Sequence, residues 1–177
     1  MSAQPGDELV ADATLVFDRE RVIAAAPEAI WPWLLQLGKR RAGWYLPRRV
    51  ERALPRGRRA LRVIEPRWQE LEEGVRIPDY GGRDAWLEVA LIDASRALVY
   101  RSERHGGALF SWALLLEPLP GPRTRVHLRF RGRIRSRGLR GRLIAVVGGA
   151  FDWATSELML RGLAERATDE SAGGSRS

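Results

Sequence analysis

The chain has 177 residues, 45% of them hydrophobic and 29% charged, no cysteine, and a formal net charge of +8. That length and mixture fit one globular domain burying roughly two thirds of its unfolded surface, and the missing cysteines exclude disulfides, thiolate metal sites and cysteine nucleophiles. All but one of the 30 basic residues are arginine, Lys39 being the exception, so a pI near 11.1 reflects an arginine bias that attracts anions at the surface.

Residues 1–13 read as a flexible polar arm. MSAQPGDELVADA lacks a basic stretch followed by an apolar run, so no secretory leader is expected. No segment reaches ~18 consecutive apolar residues, so no membrane span is expected either; the expected location is the cytoplasm. Thr14–Ala25 alternates and then turns apolar, as a first strand running into the core would. Ala26-Pro27-Glu28 opens a helix over 27–37. Pro27 supplies the φ of the first turn, Glu28 sits at the positive end of the helix dipole, and Ile30, Trp31, Leu34, Leu35 and Leu37 form one broad apolar face. Pro32 is expected to kink this helix or confine it to its first turn. Arg48–Leu54 reads as a second short helix, and Gly74–Pro78 as a brief strand.

Ala85–Ile92 and Ala97–Ser102 flank Asp93–Arg96 as a hairpin. Leu109–Leu119 and Arg123–Arg135 flank the turn Pro120-Gly121-Pro122. The last of these strands places Arg123, Arg125, His127, Arg129, Arg131 and Arg133 on one face and Val126, Leu128 and Phe130 on the other. Gly138–Ala167 reads as a long helix with Leu143, Val147, Phe151, Ala154 and Leu158 as its apolar stripe and a bend at Gly148-Gly149. Residues 168–177 read as a disordered tail. This order gives an α+β domain over 14–167, a curved antiparallel sheet wrapped round the long C-terminal helix so that both bury their apolar faces.

Several segments, taken in order, carry a family resemblance. PEAIWPWLLQLGKRRAGWY resembles an "APE-x-VWPWL-x-QLG-x-x-R-x-GWY" opening. VIEPRWQELEEGVRIP resembles a middle segment in which Gly-Asp is usual where this chain has Gly74-Val75. FSWALLLEPLPGPRTRVHLRFRGR resembles a penultimate hairpin, and MLRGLAERA a closing "MLRGIK-x-RAE". Together they cover roughly residues 14–167 and resemble an uncharacterised bacterial branch of the START-like (SRPBCC, polyketide cyclase/dehydrase and lipid transport) superfamily. The resemblance implies a helix-grip fold and a cavity for a small lipophilic molecule between sheet and helix.

The aromatic residues suit such a cavity, because ligand pockets are mostly apolar with a few placed polar groups. Ligand-binding candidates are Trp31, Trp44, Tyr45, Trp68, Trp86, Tyr100, Phe110, Trp112, Leu128, Phe130, Val147 and Phe151, with the Trp31/Trp44 region as a gate. An ordinary core filled by large rings is the alternative. A cyclase or dehydratase in the same cavity would need an acid or base beside the substrate; Tyr100 and Asp152 are the candidates, with Tyr80 and Glu157 behind them. A third reading uses Arg125, Arg129, Arg131 and Arg133 on an anionic membrane surface or nucleic acid, against their pairing with Glu88, Glu103 or Glu117. Aromatic residues do not alternate with these arginines, so no specific nucleic acid is expected. His105 and His127 read as surface histidines. Glu51 reads as paired with Arg48 or Arg52. No metal, nucleotide or hydrolase motif occurs, and no cofactor is expected.

Overall fold

The period-two segments become strands: β1 (Leu15–Ile23), β2 (Arg76–Pro78), β3 (Trp86–Asp93), β4 (Ala97–Arg104), β5 (Ala108–Leu119) and β6 (Arg123–Arg133). The period-3.6 segments become helix: α1 (Pro27–Gln36), α2 (Arg48–Glu51) and α3 (154–169). The computed structural model describes residues 3–80, 84–104, 107–133 and 154–169. The first half of the expected C-terminal helix, with its glycine bend, and most of the expected tail lie outside the described residues.

All six strands join one antiparallel sheet in the order β1-β6-β5-β4-β3-β2. Neighbours in sequence pair as hairpins, and β1 closes on β6, from Leu15 opposite Gly132 to Ile23 opposite Thr124. The sheet curves enough for Ile23 of β1, Ile77 of β2, and Leu98, Leu114 and Leu128 between them to share one buried cluster with Met159, Leu160 and Leu163 of α3. Alternation puts Leu98, Leu114 and Leu128 on that concave face. A register shift between Val89 and Leu91 in β3 marks a bulge, a device that bends strands.

Helix α1 does not stop at Pro32 but runs on to Gln36. Its apolar face carries Ile30, Leu34 and Leu35 into the core, and that burial outweighs the one hydrogen bond proline removes. The buried stripe of α3 is Met159, Leu160, Leu163 and Ala167. Ala154 and Leu158, expected on it, are only half-buried and mark its edge.

The segment expected as a flexible arm is packed against the convex face. Val10 is buried, and Leu9 packs on a second apolar cluster of Ala97, Val99, Ala113 and Leu115. Gly6 permits the approach: its φ is +90°, and a Cβ there would lie 2.6 Å from Val99 Cγ1. An apolar cluster on the outer face of a sheet gains from a cover, and the arm supplies part of it through Leu9.

Candidate functional site

The concave face brings two groups of rings together. Tyr100 on β4 faces Trp112 on β5 across the ladder, and Trp112 faces Phe130 on β6. Tyr100 stacks on Trp112 with centroids 5.7 Å apart, and Trp112 stacks on Trp44 at 5.7 Å. Trp44 meets Tyr80 edge-on at 5.9 Å, which carries the series from a buried Tyr100 to an exposed Tyr80. The indole Nε1 of Trp44 donates to the Thr155 carbonyl of α3 at 3.4 Å, so this ring bridges sheet and helix. A second group stacks Phe110 on Phe130 at 5.5 Å and Phe130 on Phe17 at 6.2 Å. Such offset pairs add modestly to the burial of the rings themselves.

Five of the other candidates have different settings. Trp31 lies in the main core as part of α1, not at a gate. Tyr45 is wholly buried, its hydroxyl donating to the Trp33 carbonyl at 2.8 Å. Arg166 lies over its ring at 4.4 Å; Tyr45 therefore braces the core beside the stack that its neighbour Trp44 joins. Trp86 alternates with Leu87 of the core and carries the Arg76 guanidinium 4.0 Å over its ring, on the far side of the sheet. Trp68 carries two guanidinium groups near its ring, Arg41 at 4.6 Å and Arg67 at 5.0 Å from the centroid. Leu128 is a buried core residue under the rings. Val147, Phe151 and Asp152 lie outside the described residues, as does His105.

Tyr100, offered as an acid or base, is almost fully buried, and burial pushes its phenol well above the usual tyrosine value despite the field of Arg41. It is therefore a neutral hydroxyl, a donor rather than a base. Glu157 on α3 accepts from Arg21 of β1 at 2.5 Å and from Arg161 at 2.8 Å. Burial raises its carboxyl, but bonds from Arg161 and Arg21 outweigh that and hold it below the usual range. It is a doubly paired carboxylate. Among the described residues no cluster of three or more His, Asp or Glu side chains could hold a metal ion.

The arginines of β6 have partners, and only one is among those expected. Arg125 meets Glu117 at 2.5 Å. Arg129 meets Asp7 at 2.7 Å and Asp18 at 3.0 Å. Arg131 donates to the Val10 and Ala11 carbonyls, and Arg133 meets Asp12 at 2.8 Å. His127 Nε2 lies 2.7 Å from Asp18. Glu88 instead serves Arg76 and Arg101. Asp18, Glu117, Arg125, His127 and Arg129 line an open groove of about 590 Å³ together with Gln4, Pro5 and Leu115 among others.

Glu51 pairs with neither Arg48 nor Arg52. Helix α2 turns it inward, 4% exposed, onto Arg166 at 2.6 Å and Arg62 at 2.9 Å. Sequence reasoning also passed over Gln36, fully buried, whose amide donates to the Val63 carbonyl at 3.1 Å and whose oxygen accepts from the Glu65 N–H at 3.0 Å. A polar residue on the apolar side of α1 was the signal available.

No protein-family model matches the sequence, and no curated protein does. Solved structures do match in shape. A hypothetical protein of Helicobacter pylori superposes with a TM-score of 0.60 at 13% identity, over 94% of this chain and 97% of that one. Norcoclaurine synthase of Thalictrum flavum, held with a transition-state analogue, gives 0.51 at 12% identity over 88% and 95%. An HSP90 activator of Plasmodium falciparum gives 0.50 at 12% identity over 83% and 91%. An enzyme and an activator on one fold show architecture and leave function to the site. The antiparallel sheet, its curvature and the helix packed into its hollow give this chain an α+β helix-grip fold.

Proposed function

We propose that this protein is a member of the START-like superfamily that binds a small lipophilic molecule between the concave sheet face and α3, as a carrier or sensor. The Tyr100–Trp112–Trp44 stack carries this reading. It offers flat apolar surface on the sheet and ends on a ring hydrogen-bonded to α3, so a planar guest can exchange ring contacts for ring contacts. An enzyme of cyclase or dehydratase type finds less support: Tyr100 is held neutral and Glu157 is doubly paired. The arginine row finds less again, since its charges are met from within the chain.

Native mass spectrometry of gently purified protein, compared with the same sample denatured, tests the proposal. Extra mass that disappears on denaturation supports it and hands over the ligand. Trp112→Ala is expected to lose that mass while remaining folded. Retention of a ligand by Trp112→Ala and by Trp44→Ala would move the site elsewhere.

A further inference from the structure

Two buried polar groups of this core are well served. The Tyr45 hydroxyl and the Gln36 amide both have partners at hydrogen-bond distance. Tyr100 Oη, at the inner end of the aromatic stack, Arg41 Nε and Trp68 Nε1 are closed to solvent and have no hydrogen-bond acceptor among the described residues. Arg41 links them. Its guanidinium lies over the Trp68 ring, and its charge acts on the Tyr100 phenol. One end of that guanidinium is anchored, Nη2 donating to the Leu35 and Trp68 carbonyls at 2.9 Å each. Arg21, Arg62, Arg104 and Arg133 also keep an unused buried N–H, and each meets a carboxylate; Arg41 forms no ion pair among the described residues.

A guanidinium and an indole N–H can only donate, and the Tyr100 phenol, held neutral by burial, retains its proton to donate. Unsatisfied buried donors are rare in native proteins and call for an explanation. A donor set with a half-buried cation and no carboxylate matches an anionic acceptor; a neutral apolar guest would leave it unsatisfied.

We propose that Tyr100, Arg41 and Trp68 form the polar end of the lipophilic site and take the carboxylate of an aromatic carboxylic acid whose ring system lies against Trp112 and Trp44. This rests on the lipophilic-ligand reading above and narrows it to one chemical class.

The test is equilibrium dialysis of the full-length protein against 2-naphthoate and against its uncharged counterpart 2-methylnaphthalene. Naphthoate is expected to bind roughly tenfold tighter or better, the usual scale for a charge-assisted hydrogen bond. Tyr100→Phe, which removes one donor and keeps the ring, is expected to weaken naphthoate several-fold and leave methylnaphthalene unchanged. Trp68→Phe is expected to do the same, so the inference does not depend on one variant folding. Equal affinity for the two probes would overturn the carboxylate assignment and leave the lipophilic site standing. Binding of neither probe would overturn both. Preference for naphthoate that survives both substitutions would place the anion on other groups and overturn the assignment.

Discussion

Arg166 and Glu51 meet at 2.6 Å with the arginine side chain wholly removed from solvent. The guanidinium also donates to the carbonyls of Leu61, Leu46 and Gly162. Burial pulls its pKa down, and the Glu51 carboxylate opposes that. The ion pair thus fastens α3 to α2, and the carbonyl bonds fasten it to the loops on either side. Breaking a buried pair by removing one partner leaves an uncompensated charge, at a cost of about 3–5 kcal/mol. Glu51→Ala is expected to lower stability by that order in a urea titration, and Glu51→Gln by less. Unchanged stability in both would show that water or Glu165 replaces Glu51.

Gly162 is where α3 touches that loop backbone. A Cβ there would lie 2.6 Å from Leu46 N and 2.7 Å from the carbonyl carbons of Leu46 and Tyr45. Backbone cannot swing aside as a side-chain tip can, so Gly162→Ala is expected to cost about 1–3 kcal/mol as overpacking, despite alanine's better helix propensity. A melting temperature at or above the parent's would contradict this contact.

The arm carries a pH dependence. Burial raises the Asp7 carboxyl, but the Gln4 N–H and the Arg129 guanidinium outweigh it, so its folded pKa lies below the ordinary carboxylate value. A depressed folded pKa stabilises fully above the unfolded pKa, and that stabilisation fades as pH falls through the folded one. Arm docking is therefore expected to persist at neutral and mildly acidic pH and to weaken below the normal aspartate range. Limited proteolysis of residues 1–13 across acid pH reads this directly. Asp7→Asn is expected to release the arm already at neutral pH, and equal protection in the variant would remove Asp7 from the clasp.

With its arginines met from within, the convex face is expected to bind anionic vesicles weakly. A variant carrying Asp7→Ala, Asp12→Ala and Asp18→Ala should free Arg129 and Arg133 and gain vesicle binding that falls steeply with salt. Strong, salt-sensitive co-sedimentation of the parent protein would restore the anionic-surface reading.

The strands were legible because their patterning is local: the alternation through Arg123–Arg133 shows which residues leave the core without reference to anything else. Partners were not legible for the complementary reason. Asp7, Asp12 and Asp18 lie more than a hundred residues from the arginines they meet, and nothing nearby marks them. Glu51 reads as paired with its neighbours Arg48 or Arg52 because so short a helix, Arg48–Glu51 in the structure, carries too little periodicity to define a face. Trp44 and Tyr45 show the limit within the site. They are adjacent and both aromatic, yet one joins the concave stack and the other the core, and only the packing of the loop against α3 decides between them.

The clasp between Asp7 and Arg129 spans 122 positions, and β1 likewise finds its ladder on β6. On a ribosome, which releases the N-terminus first at about 5–20 residues per second, the opening segments have no sheet to join until almost everything else has emerged. The arm and β1 are thus among the last segments of this domain to reach their places, and sheet closure waits on a contact of high sequence separation. Folding of this kind is expected to be slow and late, with the unaccompanied first strand as the segment most in need of protection while synthesis continues.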